Sequence, residues 1–166
     1  MNRATYAMMG EFMEKYLPDG KMLVIYDVGA RNVNGCYRPL FQRPGWTYIG
    51  LDIVPGRNVD LVVEPYHFAQ VPDGQADVVI TGQTLEHVEE FWVWVKELAR
   101  ICRPGGLIAI SAPYEWRRHR VPVDCWRILP DGMAVLARLM GCDLLECTMR
   151  DCHTFGVFRK REGTSP

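Results

Sequence analysis

Apolar positions along this chain follow two alternating spacings. From residue 3 to 17, Tyr6, Met9, Met13, Tyr16 and Leu17 recur every three to four positions, which predicts an amphipathic helix. Pro18-Asp19-Gly20 ends it. Residues 22–27 are then almost wholly apolar, the pattern of a strand buried on both faces. A short helix is expected over 35–43, closed by Pro44-Gly45. Strands follow at 46–52, at 59–63 and, after the turn Pro72-Asp73-Gly74, at 77–81. Phe91, Val95, Leu98 and Cys102 share one face of a helix over 89–102, which Arg103-Pro104-Gly105-Gly106 terminates. A fifth strand is predicted at 107–111, a helix at 130–140, and two closing strands at 143–149 and 155–159.

Early strands separated by helices or long loops predict a parallel sheet. The last two strands lie too close for a helical crossover, so they are expected to pair antiparallel. The 166 residues suit one domain, read as spanning 1–166. Nineteen basic and 20 acidic side chains nearly cancel, so charge offers no case for nucleic acid or an anionic membrane. No run approaches the ~18 apolar residues of a bilayer span. The first residues lack the apolar core of a signal peptide, and the six cysteines form no Cys-x-x-Cys pair. The expectation is a cytoplasmic protein with reduced thiols. Cys147, Cys152 and His153 match no common zinc spacing, so no metal is expected.

Chemistry enters with the first strand. It runs into Asp27-Val28-Gly29-Ala30-Arg31-Asn32-Val33-Asn34-Gly35, and the second strand ends in Asp52. Glycines let backbone approach a ligand, and a carboxylate at the end of the second strand suits ribose hydroxyls. A dinucleotide would call for Gly-x-Gly-x-x-Gly opening a helix. This loop has only Gly29 and Gly35, with Asp27 at its mouth. That carboxylate repels a pyrophosphate and suits an ammonium, which favours S-adenosylmethionine.

Four blocks in order carry a family resemblance: Asp27 to Gly35; Gly50-Leu51-Asp52; Pro72-Asp73-Gly74 through Asp77-Val78-Val79-Ile80 to Leu85-Glu86-His87-Val88; and Leu98 through Pro104-Gly105-Gly106-Leu107. Together they resemble class I S-adenosylmethionine-dependent methyltransferases acting on small molecules, over about residues 20–115. The resemblance implies an α/β, Rossmann-like, doubly wound sheet of seven strands, mostly parallel with an antiparallel C-terminal pair. It also implies roles. Asp27 and Gly29 would face the methionine part, and Asp52, with Ile53 beside it, the ribose. Tyr66 and His67 would lie at the adenine, and Gln83 near the sulfonium. Arg31 replaces a glycine usual in the family. Its side chain must point out of the loop or towards the cofactor carboxylate.

Methyl transfer needs nucleophile and methyl held in line, and a base only if the acceptor must lose a proton. His87 is the first candidate base and His119 the second. The segment 111–127 is unusually polar and aromatic for a connection, and Tyr114, His119, Asp124, Trp126 and Arg127 are the expected acceptor contacts. The competing view has Trp126 packing a helix and Asp124 pairing internally with Arg127. Little sequence remains to enclose an acceptor. It is therefore small, or one end of a larger molecule, or a second copy or partner chain completes its pocket. The expected reaction is methylation of an oxygen, less readily a nitrogen, of a sugar or secondary metabolite. The alternatives are a non-catalytic cofactor-binding subunit and a nicotinamide-dependent oxidoreductase.

Overall fold

The structure is a computed structural model that describes residues 3–120 and 122–163. Its elements run α1 (Arg3–Tyr16), β1 (Leu23–Val28), α2 (Arg38–Phe41), β2 (Trp46–Asp52), β3 (Leu61–Val62), β4 (Ala76–Gly82), α3 (Phe91–Ile101), β5 (Cys102–Pro113), α4 (Pro130–Met140), β6 (Cys142–Arg150) and β7 (His153–Lys160). The seven strands form one sheet in the order β3-β2-β1-β4-β5-β7-β6. The pairs from β3 to β5 are parallel. Strand β7 runs antiparallel to both β5 and β6.

Alternation along the central strands builds two cores. Leu23 and Ile25 of β1 pack with Met9, Phe12 and Met13 of α1 and Phe41 of α2. Tyr26 and Val28 turn the other way, towards Val95 and Leu98 of α3 and Met133 and Leu136 of α4. Both faces of β1 are therefore covered, which is why its sequence is apolar up to Asp27. Lys160 on β7 is 7% exposed. Its ammonium donates to the carbonyls of Ala99 and Cys102, each at 2.8 Å, and so satisfies the end of α3.

Three elements differ from the sequence expectation. The third strand shrinks to Leu61–Val62, because residues 58–60 fold across β2: a Cβ on Gly50 would lie 2.0 Å from the Asn58 carbonyl oxygen, and Asp60 accepts a hydrogen bond from the Gly50 amide at 2.7 Å. The helix expected over 35–43 is only Arg38–Phe41, since the preceding residues stay in the loop after β1. Strand β5 begins at Cys102, with a bulge: Ala76 pairs with Cys102, and the next paired residue of β4, Val78, meets Leu107.

Candidate functional site

Strand β1 lies between β2 and β4, so the chain reverses its direction of travel across the sheet there. In open α/β sheets such a point leaves a crevice beyond the carboxyl ends of the strands. A cleft of about 620 Å³ occupies this place, and its walls include Asp27, Gly29, Asp52, Gln83, His87, His119 and His153.

Asp27 is 3% exposed. The Tyr48 hydroxyl donates to its carboxylate, and the Asn58 amide donates to the Tyr48 oxygen at 3.2 Å. The Arg38 guanidinium lies 4.4 Å over the Tyr48 ring. Burial pushes the Asp27 carboxyl up to about 7, against the opposing pull of Tyr48 and the Arg38 charge. A cationic group in the cleft would restore its ionised form. Gly29 has a φ of +80°, and its amide donates to the Leu51 carbonyl at 2.9 Å. A Cβ there would lie 2.1 Å from the Thr84 hydroxyl oxygen. Both conformation and space therefore demand glycine.

Asp52 ends β2 and anchors two turns. One carboxylate oxygen accepts the Arg31 amide at 3.0 Å and the other the Val54 amide at 3.1 Å. Ile53, half-exposed, lines the cleft beside it. The Arg31 side chain also borders the cleft and lies along the Gly56 turn, where a Cβ would come within 3.1 Å of its Nε. Gln83 follows β4 with a φ of +61°. Its amide N–H donates to the Ser111 carbonyl at 3.0 Å, and its side-chain oxygen sits 2.8 Å from Nε2 of His153.

The turn Leu85–His87 and the loop after β5 form the opposite wall. The His87 and His119 rings meet edge to face at 4.9 Å. Burial lowers the pKa of His87, and its Nδ1 lies 2.5 Å from the Val123 carbonyl. Glu86 is fully buried, and burial raises its carboxyl to about 7.

The structure sorts the expected residues. Asp27, Gly29, Arg31, Asp52, Ile53, Tyr66, Gln83, His87 and His119 all border one cleft. His67 does not: it points to α3, with Nδ1 3.7 Å from Glu97. Tyr114, Asp124, Trp126 and Arg127 also lie outside the lining. Asp124 is instead the hub of its own loop. Its carboxylate accepts the His119 amide at 2.8 Å and two Arg127 N–H groups at 2.6 and 2.9 Å, and that guanidinium holds its carboxyl well below the usual range. The Trp126 indole donates to the Val88 carbonyl at 2.8 Å and packs edge-on to Phe91 of α3. These contacts shape the loop that presents His119. They are the internal packing and ion pair of the competing view.

Sequence reasoning missed Thr84, Trp116 and His153 as part of the cleft. For His153 a signal existed. A closing strand antiparallel to β5 must begin at the end where β5 finishes, and His153 is paired with Pro113 there.

Comparison with known proteins agrees with this architecture. The family described as "Methyltransferase domain" matches residues 26–110. The 2-methyl-6-phytyl-1,4-hydroquinone methyltransferase of Synechocystis sp. is 26% identical over 122 residues, covering 66% of this chain and 37% of that protein. An uncharacterized methyltransferase of Mycobacterium sp. (strain JLS) is 31% identical over 106 residues, covering 57% and 39%. The chain thus spans less than two-fifths of the length of these curated relatives. Among solved structures, a 1,6-didemethyltoxoflavin-N1-methyltransferase of Burkholderia thailandensis, with bound 1,6-didemethyltoxoflavin and S-adenosylhomocysteine, superposes with a TM-score of 0.75 at 14% identity, covering 96% of this chain and 78% of that one. At that identity the likeness carries the fold alone. The family match runs from within β1 to within β5 and takes in the strand ends that carry Asp27, Gly29, Asp52 and Gln83, so this chain belongs to the methyltransferase domain family.

Proposed function

We propose that this chain binds S-adenosylmethionine in the cleft and transfers its methyl group to an oxygen of a small molecule. The observation that carries the reading is the pair Asp27 and Asp52, at the carboxyl ends of the neighbouring strands β1 and β2, both bordering one cleft. Asp27 suits the ammonium of the methionine part. Asp52 keeps lone pairs free for ribose hydroxyls while its two backbone donors hold it in place. Ile53 and Tyr66 supply apolar surface for the adenine. The Asp27–Gly35 loop lacks the glycine triplet of a pyrophosphate cradle, which disfavours a nicotinamide dinucleotide.

A sulfonium is a strong methyl donor, so the chain's contribution is mainly alignment of the acceptor with the methyl. The cleft volume lies within the ~300–1,000 Å³ of small-molecule sites. His87 and His119 face it from the acceptor side, and a neutral imidazole there can take the proton an acceptor hydroxyl loses on methylation. A second copy of the chain or a partner would close the open side against solvent.

Calorimetric titration with S-adenosylhomocysteine and, separately, NAD tests the donor. Binding of S-adenosylhomocysteine alone is expected, and binding of NAD alone would overturn the reading. A screen of hydroxyl and amine acceptors with methyl-labelled cofactor tests the chemistry.

A further inference from the structure

Glu86 is 0% exposed, and neither of its carboxylate oxygens has a hydrogen-bond partner among the described residues. Buried carboxylates are ordinarily paired, hydrogen-bonded or bound to a metal, because desolvation is costly. Two imidazoles face the same oxygen: Nε2 of His87 and Nε2 of His119 each lie 3.9 Å from Glu86 Oε1. That distance is too long for a hydrogen bond, so a proton relay between ring and carboxylate does not account for the arrangement.

The far nitrogens are already engaged. His87 Nδ1 lies 2.5 Å from the Val123 carbonyl oxygen. His119 Nδ1 lies 3.3 Å from the Arg117 carbonyl oxygen and 3.5 Å from the Asp124 carboxylate. A carbonyl can only accept, so Nδ1 carries the hydrogen in each neutral ring and the Nε2 lone pair is turned towards Glu86. Metal-bound histidines are oriented by this kind of outer hydrogen bond.

We propose that Glu86, His87 and His119 bind a divalent first-row transition ion of the zinc type at the wall of the cleft. The three ligand atoms lie within 4.8 Å of one another. Ligands at ~2.0–2.2 Å around a tetrahedral ion are about 3.4 Å apart, so the two 3.9 Å separations must close by roughly half an ångström and the widest pair by up to about 1.4 Å, within reach of side-chain rotation. Two imidazoles and one carboxylate suit Zn²⁺ and leave a coordination position open. His87 and His119 border the cleft, so that position faces the acceptor. The residues of this site form no zinc spacing in the sequence. His87 and His119 are separated in the chain and meet only through the loop that Asp124 organises. The site rests on these side chains alone, whatever donor the cleft takes; an ion here engages both Nε2 lone pairs and so replaces the imidazole-base role of the proposed function.

The test is titration of chelator-treated protein with Co²⁺, followed by visible absorption and calorimetry, then displacement by Zn²⁺. One Co²⁺ per chain with ligand-field bands is expected. Glu86→Gln and His119→Ala should each weaken Co²⁺ by at least the ~10–100-fold that loss of an outer partner alone costs. His119 is partly exposed, so its variant decides the matter if the buried Glu86→Gln does not fold. Absence of Co²⁺ binding, or binding untouched by His119→Ala, overturns the proposal. S-adenosylhomocysteine binding in the same samples reads the donor site separately.

Discussion

His153 and Gln83 meet at 2.8 Å, Nε2 to Oε1, and so join the first residue of β7 to the residue that follows β4. The other ring nitrogen, Nδ1, lies 2.7 Å from the Asp151 carbonyl and donates to it, so in the neutral ring Nε2 accepts, and the Gln83 carboxamide meets it with its NH2 once its O and N are exchanged. Gln83 is thus clamped at its side chain by His153 and at its amide by Ser111, in a left-handed conformation that costs ~1–3 kcal/mol for a residue other than glycine. Gln83 is thereby held in one orientation at the border of the cleft.

Loss of that clamp should cost activity more than binding. His153→Ala is expected to lower kcat/KM for methyl transfer about tenfold, the ~1.4 kcal/mol of one hydrogen bond. S-adenosylhomocysteine affinity should change less. Labelled-methyl kinetics beside calorimetry check this, and an unchanged kcat/KM would remove His153 from the site.

Asp52→Ala strips an acceptor from the Arg31 and Val54 amides as well as from the ribose. Cofactor affinity should fall by ~1–3 kcal/mol. Asp52→Asn keeps one acceptor oxygen and should lose less. Titration of both variants with S-adenosylhomocysteine makes the comparison.

Asp27 sets a pH dependence whose sign is fixed by its raised folded pKa. Its ordinary value is 3.8 and its folded value about 7. Stability relative to an uncharged side chain is full below pH 3.8 and is lost as pH rises through about 7, where the buried carboxyl must ionise. Asp27→Asn should flatten the fall in urea midpoint across that window. A cofactor ammonium stabilises the ionised form, so binding near pH 6 to 7 should release a proton. Calorimetry in two buffers of different ionisation enthalpy would detect it, and identical apparent enthalpies would argue against an Asp27–ammonium contact.

Gly29→Ala combines a positive φ with a collision against Thr84. A loss of ~1–3 kcal/mol of stability is expected, together with cofactor binding. Adding Thr84→Ala should recover only part of it. The hydroxyl and methyl, at 2.1 and 2.5 Å from the new Cβ, disappear, but the φ and the Thr84 Cβ at 2.8 Å remain. Denaturant midpoints of the single and double variants measure the two contributions.

Lys160→Met keeps the stem but leaves the carbonyls of Ala99 and Cys102 without their buried donor. A loss of about 1.5–3 kcal/mol is expected, the range for hydrogen bonds to a charged group. Thermal unfolding measures it, with cofactor affinity as the control.

Much of the cleft was legible because each strand end is local in sequence. Asp27, Gly29 and Asp52 stand at the carboxyl ends of apolar runs, and in an open α/β sheet ligands sit beyond those ends. The 114–127 loop was not legible in this way. Its polar and aromatic residues looked like ligand contacts, yet Asp124, Arg127 and Trp126 satisfy one another, the backbone and α3. Composition cannot distinguish a side chain that bonds its own loop from one that bonds a ligand. His67 misled for a related reason: one residue beyond Tyr66, the turn sends it to Glu97 instead of the cleft.

The sequence by itself determined the sheet, its alternation with helices, the antiparallel finish and the acidic strand ends. These depend on periodicity and on glycine or proline at turns, which act over a few residues. Tertiary structure decided what meets at the cleft: Gln83 with His153, and the neighbours Glu86 and His87 with His119. Those meetings depend on the strand order β4-β5-β7 and on a loop closed by the Asp124–Arg127 pair. Distances of a few ångströms between residues far apart in the chain arise only when the whole sheet has packed.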